Sequence, residues 1–156
     1  MSNYHHAYIL LGSNISPVDN LKNAINHLRS KCAILAMSKA WENTAIGSTG
    51  PNYLNLAILI NTWLSASDLK SIILSPIETI LGRARTNDKN SPRPIDLDII
   101  IYENEVLDKN LWSRLYIALP MSEIIPDLIN PENGKSLLEI ARLLHQRYWA
   151  IINQEI

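Results

Sequence analysis

Asp96 and Asp98 stand one residue apart inside Pro92–Ile101, which reads Pro-Arg-Pro-Ile-Asp-Leu-Asp-Ile-Ile-Ile. The apolar residues alternate there and are β-branched or Leu, which predicts a strand. Successive strand side chains point to opposite faces. Ile95, Leu97, Ile99 and Ile101 are therefore expected on one oily face, with both aspartates on the other. At that spacing the α-carbons lie roughly 6–7 Å apart. Two bare carboxylates so placed repel by about 2–3 kcal/mol at an effective dielectric of 20. A cation offsets this cost, and magnesium suits the pair, because it combines one or two carboxylates with substrate phosphates. The plain alternative is two solvated aspartates on an exposed strand. Asp is depleted in strands, so two on one face favour the metal reading.

The elements that must position this pair follow from the pattern before and after it. Ala7–Leu11 reads as a buried first strand, closed by the turn cluster Gly12-Ser13-Asn14. Ser16 is expected to cap a helix with Pro17 at its first position, and Leu21, Ala24, Ile25 and Leu28 follow at helical spacing. A strand pattern returns over about Cys32–Trp41. Tyr53–Trp63 reads as a long strand, with Tyr53, Asn55, Ala57, Leu59 and Asn61 on one face and Leu54, Leu56, Ile58 and Ile60 on the other. Ser65 with Asp68 is a plausible cap for a second helix. Its apolar set is Leu69, Ile72, Ile73, Ile77, Ile80 and Leu81, with a kink expected at Pro76 and an end at Gly82.

Beyond a polar loop over Thr86–Ser91 and the aspartate strand, a turn is expected at Asn104-Glu105 and a short strand at Val106-Leu107. A single helical turn fits Pro120–Pro126, and a last helix runs from about Ser136 to Ile152, with Tyr148 and Ile151 on its inner face. The order β-α-β-β-α-β with added elements predicts an α+β, ferredoxin-like fold: an antiparallel sheet, helices packed on one face and extra C-terminal elements. The opposite face is then free to carry Asp96, Asp98, Tyr53 and Asn55.

The totals set bounds. With 156 residues, 47% of them apolar, the chain fits one domain, 1–156, burying roughly 70% of its unfolded surface. A net charge of −1 gives no long-range pull toward nucleic acid or an anionic membrane, so neither is expected as a partner and an anionic ligand needs a local basic cluster. One cysteine, Cys32, forms no internal disulfide and fits a cytoplasmic setting. The start of the chain lacks a basic region followed by an apolar stretch, so no secretion signal is expected. Its longest apolar runs are too short to span a bilayer. Either a monomer or a homodimer is compatible with these features.

Motifs in order along the chain carry a family resemblance. They are Leu11-Gly12-Ser13-Asn14, Asn52-Tyr53-Leu54-Asn55, and Glu78 leading to Gly82-Arg83-Ala84-Arg85. Pro92-Arg93 before Asp96-Leu97-Asp98-Ile99-Ile100 is the strongest, and Arg114, Tyr116, Pro120 and Glu123-Ile124-Ile125-Pro126 continue it. Together they resemble the 6-hydroxymethyl-7,8-dihydropterin pyrophosphokinases of folate biosynthesis. The resemblance implies transfer of pyrophosphate from ATP to the hydroxymethyl oxygen of a reduced pterin, releasing AMP.

It also implies roles. Asp96 and Asp98 would hold two magnesium ions, with Arg83 and Arg93 completing the catalytic set. Glu78, Arg83, Arg85, Lys89, Arg93 and Arg114 would face ATP, the arginines gripping phosphate oxygens through their forked donors. Tyr53, Asn55 and Tyr116 would hold the pterin, Asn55 because an amide supplies both a donor and an acceptor. Asn43 and Ala45 stand where the family has Thr and Pro beside the pterin. Further departures are Asn90 and Ser91 in place of Trp and Gly, Ser75 in place of Gln, and a shortened segment before Arg114 without the family's Pro-His pair. A divergent, non-catalytic member that binds pterin or nucleotide is the alternative these departures leave open. An RNA-binding module on the open sheet face is disfavoured by the near-neutral charge and the lack of an aromatic-basic motif.

Overall fold

A computed structural model describes residues 3–45, 49–82 and 94–156. Seven strands form one antiparallel sheet: β1 His5–Ser13, β2 Ala33–Met37, β3 Ala40–Asn43, β4 Tyr53–Thr62, β5 Asp96–Tyr102, β6 Glu105–Val106 and β7 Ala150–Asn153. Their spatial order is β6-β5-β1-β4-β3-β7, with β2 also paired to β4. The fold is α+β, as the element order predicts.

The edge run over Cys32–Trp41 is two strands rather than one. At the break the Ser38 hydroxyl accepts from the Ala57 N–H at 2.8 Å, and the Ser38 N–H donates to the Ala57 carbonyl at 2.9 Å. Serine thus keeps the β4 edge satisfied where the strand bends.

Two helices lie on the first face. Helix α1, Pro17–Arg29, buries Leu21, Ala24, Ile25 and Leu28 against it. Ser16 occupies the cap position but in the left-handed region (φ 40°), and its hydroxyl does not cap. Pro17 opens the helix as expected, and the Asn20 side chain binds the Ile15 carbonyl at 2.6 Å.

Helix α2 spans 66–80 and changes its winding: Ala66–Asp68 is α-helical, Leu69–Leu74 is a π-helix and Ser75–Ile80 returns to α. Ser65 caps it by accepting from the Asp68 N–H at 3.1 Å. The wide π turn precedes Pro76 directly, where an α turn would set the ring against a carbonyl four residues back. It also shifts the helical phase. Leu69, Ile73, Leu74, Ile77 and Glu78 point inward, whereas Ile72 and Ile80, expected inside, are exposed.

The second face is partly covered by the C-terminal elements. Helix α3, Leu115–Ile124, runs over β1, β3 and β4, and α4, Leu137–Arg147, packs on α3. Two corrections to the sequence reading fall here. The turn expected at Pro120–Pro126 is the end of a ten-residue helix that runs through Pro120, carried by almost complete burial of its apolar residues. The last helix stops at Arg147 and the chain returns as β7, leaving Tyr148 and Ile151 about half exposed rather than inward.

The turn after β5 is centred on Glu103 (φ 54°), one residue earlier than expected. Within β5, Ile9 pairs with Ile99 but Tyr8 pairs with Ile101, so Ile100 is an extra residue, a bulge. The bulge transfers Ile101 to the second face. Ile95, Leu97 and Ile99 pack with the first core, while Ile100 and Ile101 join the second.

Candidate active site

The face carrying the aspartates is built row by row across the central strands. Gly12 of β1 is paired with Asn55 of β4 on one side and Asp96 of β5 on the other. Leu10 likewise lies between Ala57 and Asp98. The alternation read from the sequence therefore puts both carboxylates and Asn55 on one surface, one residue of β1 apart.

That surface is the floor of a cavity of about 340 Å³ lined by eleven of the described residues, among them Asp96, Asp98, Arg114, Tyr53, Asn55, Asn43 and Tyr116. Seven of the residues expected in the site thus meet in one space. Ala45 is described but does not line it; its neighbour Thr44 does. Glu78 lies elsewhere, as described below. Arg83, Arg85, Lys89 and Arg93, with the Thr86–Ser91 loop, lie outside the described residues.

The amide side of the cavity is pre-set. Asn55 is 3% exposed, and its Nδ2 donates to Asn43 Oδ1 at 2.7 Å. One N–H of Asn55 and its carbonyl oxygen remain to meet a ligand that offers both a donor and an acceptor. Gly12 has no side chain to interfere; a β-carbon there would stand 2.6 Å from Asn55 Oδ1.

The opposite wall comes from the chain after β6. Asp108 opens a short 3₁₀ turn, Lys109–Trp112, by accepting from the Asn110 N–H at 3.0 Å, and buried Leu111 anchors that turn in the second core. Arg114 then sits at the N-cap position of α3 and Tyr116 in its first turn. Tyr116 is thus a helix residue. Burial, foremost, pushes its phenol pKa up; Asp108 adds to this, Arg114 opposes it, and Asp98 and Asp96 contribute further increments. The ring is therefore a neutral platform beside two acids.

Glu78 is 4% exposed and grips the aspartate strand from its edge, where its Oε2 accepts from the Leu97 N–H at 3.0 Å. Lys70 donates to the Leu97 carbonyl at 2.5 Å and lies 3.3 Å from Glu78 Oε1 and 3.6 Å from Asp98 Oδ1. Sequence reading found Glu78 only through the resemblance and missed Lys70 and Asn110 altogether. No signal marked Lys70: it points to β5 because of the π turn, which spacing does not show.

The cavity thus sets two carboxylates and paired amides on its floor against an arginine and a tyrosine on the wall after β6, groups that could hold a charged ligand and a flat polar one. Comparison with known proteins gives the family. A sequence model of the 7,8-dihydro-6-hydroxymethylpterin-pyrophosphokinase (HPPK) family matches residues 8–126. A 2-amino-4-hydroxy-6-hydroxymethyldihydropteridine pyrophosphokinase of Synechocystis is 33% identical over 147 residues, 87% of this chain and 74% of that one. One of Haemophilus influenzae is 30% identical, covering 87% of this chain and 91% of that one. Among solved structures, Plasmodium falciparum HPPK-DHPS superposes with a TM-score of 0.73 at 11% identity, over 92% of this chain and 42% of that one. The chain spans less than half of that longer protein, and the likeness speaks to the fold alone. This chain belongs to the 7,8-dihydro-6-hydroxymethylpterin-pyrophosphokinase family.

Proposed function

We propose that the chain transfers the pyrophosphoryl group of ATP to the hydroxymethyl oxygen of 6-hydroxymethyl-7,8-dihydropterin, a step of folate biosynthesis. As the pterin oxygen bonds to the β-phosphorus, the bond between the α- and β-phosphates breaks and AMP leaves. Family membership supports the activity, and one observation supports the assignment of parts: acids, arginine, amides and tyrosines share a single cavity.

Asp96 and Asp98 fit magnesium by their donor chemistry. They are two carboxylates on one surface, and no group of three or more His, Cys, Asp or Glu occurs among the described residues. That set suits an ion that completes its shell with phosphate and water, and is poor for zinc, which asks for more protein ligands. When bound, magnesium supplies neutralisation of phosphate charge. We assign two ions to the pair on the resemblance alone.

Arg114 faces the phosphates across the cavity and stabilises charge there through its forked donors. Arg83, Arg85, Lys89 and Arg93 are assigned to the triphosphate, with Arg83 and Arg93 nearest the transferred group, on the resemblance alone. Tyr53 and Tyr116 pack on the pterin ring, and Asn55, held by Asn43, pairs with its polar edge. Glu78 is assigned to the ATP side on the resemblance, and its bond to the Leu97 N–H supports a positioning role at β5 as well. Most of the rate enhancement in such a step comes from holding the reactants in line and offsetting charge. The cytoplasm is the setting this reading takes, in keeping with the unpaired Cys32.

The test mixes protein, ATP, magnesium and hydroxymethyl-dihydropterin and measures AMP. Asp96→Ala is expected to lower turnover by about a thousandfold or more, at an unchanged melting temperature. Full turnover in that variant removes the metal assignment. Pterin binding by the wild type without AMP formation turns the reading to a binding-only member of the family.

A further inference from the structure

We infer that Lys70 is a tethered cation of the metal site, a positioning residue that offsets Asp98 before a divalent ion arrives and lowers the affinity of the nucleotide-free protein for that ion. The inference rests on the reading that Asp98 holds a metal. Lys70 belongs to the π-helical stretch of α2, outside the cavity lining. Its ammonium is anchored on three oxygens of different origin: the Leu97 carbonyl at 2.5 Å, Glu78 Oε1 at 3.3 Å and Asp98 Oδ1 at 3.6 Å.

The first two hold the lysine, because the Leu97 carbonyl belongs to the strand and Glu78 is itself fixed by the Leu97 N–H. The third is the contact with consequence. Asp98 is more than half exposed, and the anchored ammonium attracts its carboxylate from 3.6 Å. The same charge repels a second cation coming to that oxygen. A free ion must overcome this repulsion, whereas an ion delivered with a triphosphate arrives with its charge already offset. Lys70 therefore biases the pair toward metal carried by nucleotide and against metal alone.

Because both side chains are solvent-accessible, screening keeps the effect modest. Lys70→Gln removes the charge and leaves an amide that can still donate to Leu97. It is expected to tighten Mn²⁺ binding to nucleotide-free protein about three- to fivefold, read from the free-ion electron paramagnetic resonance signal. The magnesium concentration for half-maximal turnover should fall in parallel. Lys70→Arg keeps the charge and should bind Mn²⁺ like the wild type, while Asp98→Asn should bind it more weakly.

Unchanged or weaker Mn²⁺ binding in Lys70→Gln, with binding lost in Asp98→Asn, overturns the role of Lys70 and leaves the metal reading standing. Wild-type affinity in Asp98→Asn overturns both. Should Lys70→Gln fail to fold, tighter binding in Lys70→Arg would still refute the inference.

Discussion

The two ends of β5 are held in place by different means. Toward its end, Ile101 and Tyr102 pair with Val106 and Glu105 of β6, backbone to backbone. At Leu97 no strand among the described residues lies along that edge. The Leu97 N–H and C=O point out of the sheet edge and are taken by the side chains of Glu78 and Lys70. The Ile100 bulge divides the two regimes, its carbonyl accepting from the Leu107 N–H at 2.8 Å. A neighbouring strand gives stiffness and nothing more. Side chains that satisfy the same backbone groups can also carry charge, and here they deliver an ammonium to one of the two acids. The end that bears the site has exchanged a uniform backbone partner for a contact with chemistry of its own.

The sharpest way to break this arrangement is Glu78→Ala. It orphans the buried Leu97 N–H and removes the carboxylate from Lys70. The cost expected is about 2–3 kcal/mol, combining a lost charge-assisted hydrogen bond with an unsatisfied donor. Urea denaturation checks the loss. Native-state hydrogen exchange locates it: the Leu97 amide should exchange faster than the Tyr102 amide, which lies beyond the bulge. Equal acceleration at both would mean that β5 is held as one unit and that the division drawn here does not exist.

This division marks the limit of what the chain could be read for. Period-two alternation placed Asp96 and Asp98 together and set Leu54, Leu56, Ile58 and Ile60 toward the helices, because strand faces follow from spacing alone. The same rule failed at Ile101, since a bulge adds a residue without leaving a mark in an all-isoleucine run. Helical spacing failed in its turn for Ile72 and Ile80, where the π stretch alters helical phase, and with it went any view of Lys70. The arrival of Tyr116 on a helix was hidden too: Pro120 argued for a short turn, and burial of α3 overrode it. Registers and rows were legible, but not the irregular steps that bring separate elements to one cavity.

The row Asn55–Gly12–Asp96 offers a second contrast with the far end of the strand. In Gly12→Ala the added methyl must displace Asn55 Oδ1, which sits 2.6 Å from the new carbon. Asn55 cannot swing away freely, since its Nδ2 is bonded to Asn43 in a buried position. The expected outcome is a KM for the pterin raised about tenfold, or about 1.4 kcal/mol, with a smaller change in kcat. At the far end, Ile101→Val removes one methyl group from the second core, where Ile101 is fully buried. It should cost about 1 kcal/mol of stability by thermal denaturation and leave the pterin KM unmoved. If Ile101→Val raises KM as Gly12→Ala does, packing strain crosses the bulge, and the two ends of β5 are mechanically coupled. An unmoved KM means that the bulge absorbs changes in the core before they reach the acids, which is the more useful property for a strand that must hold two carboxylates at fixed separation.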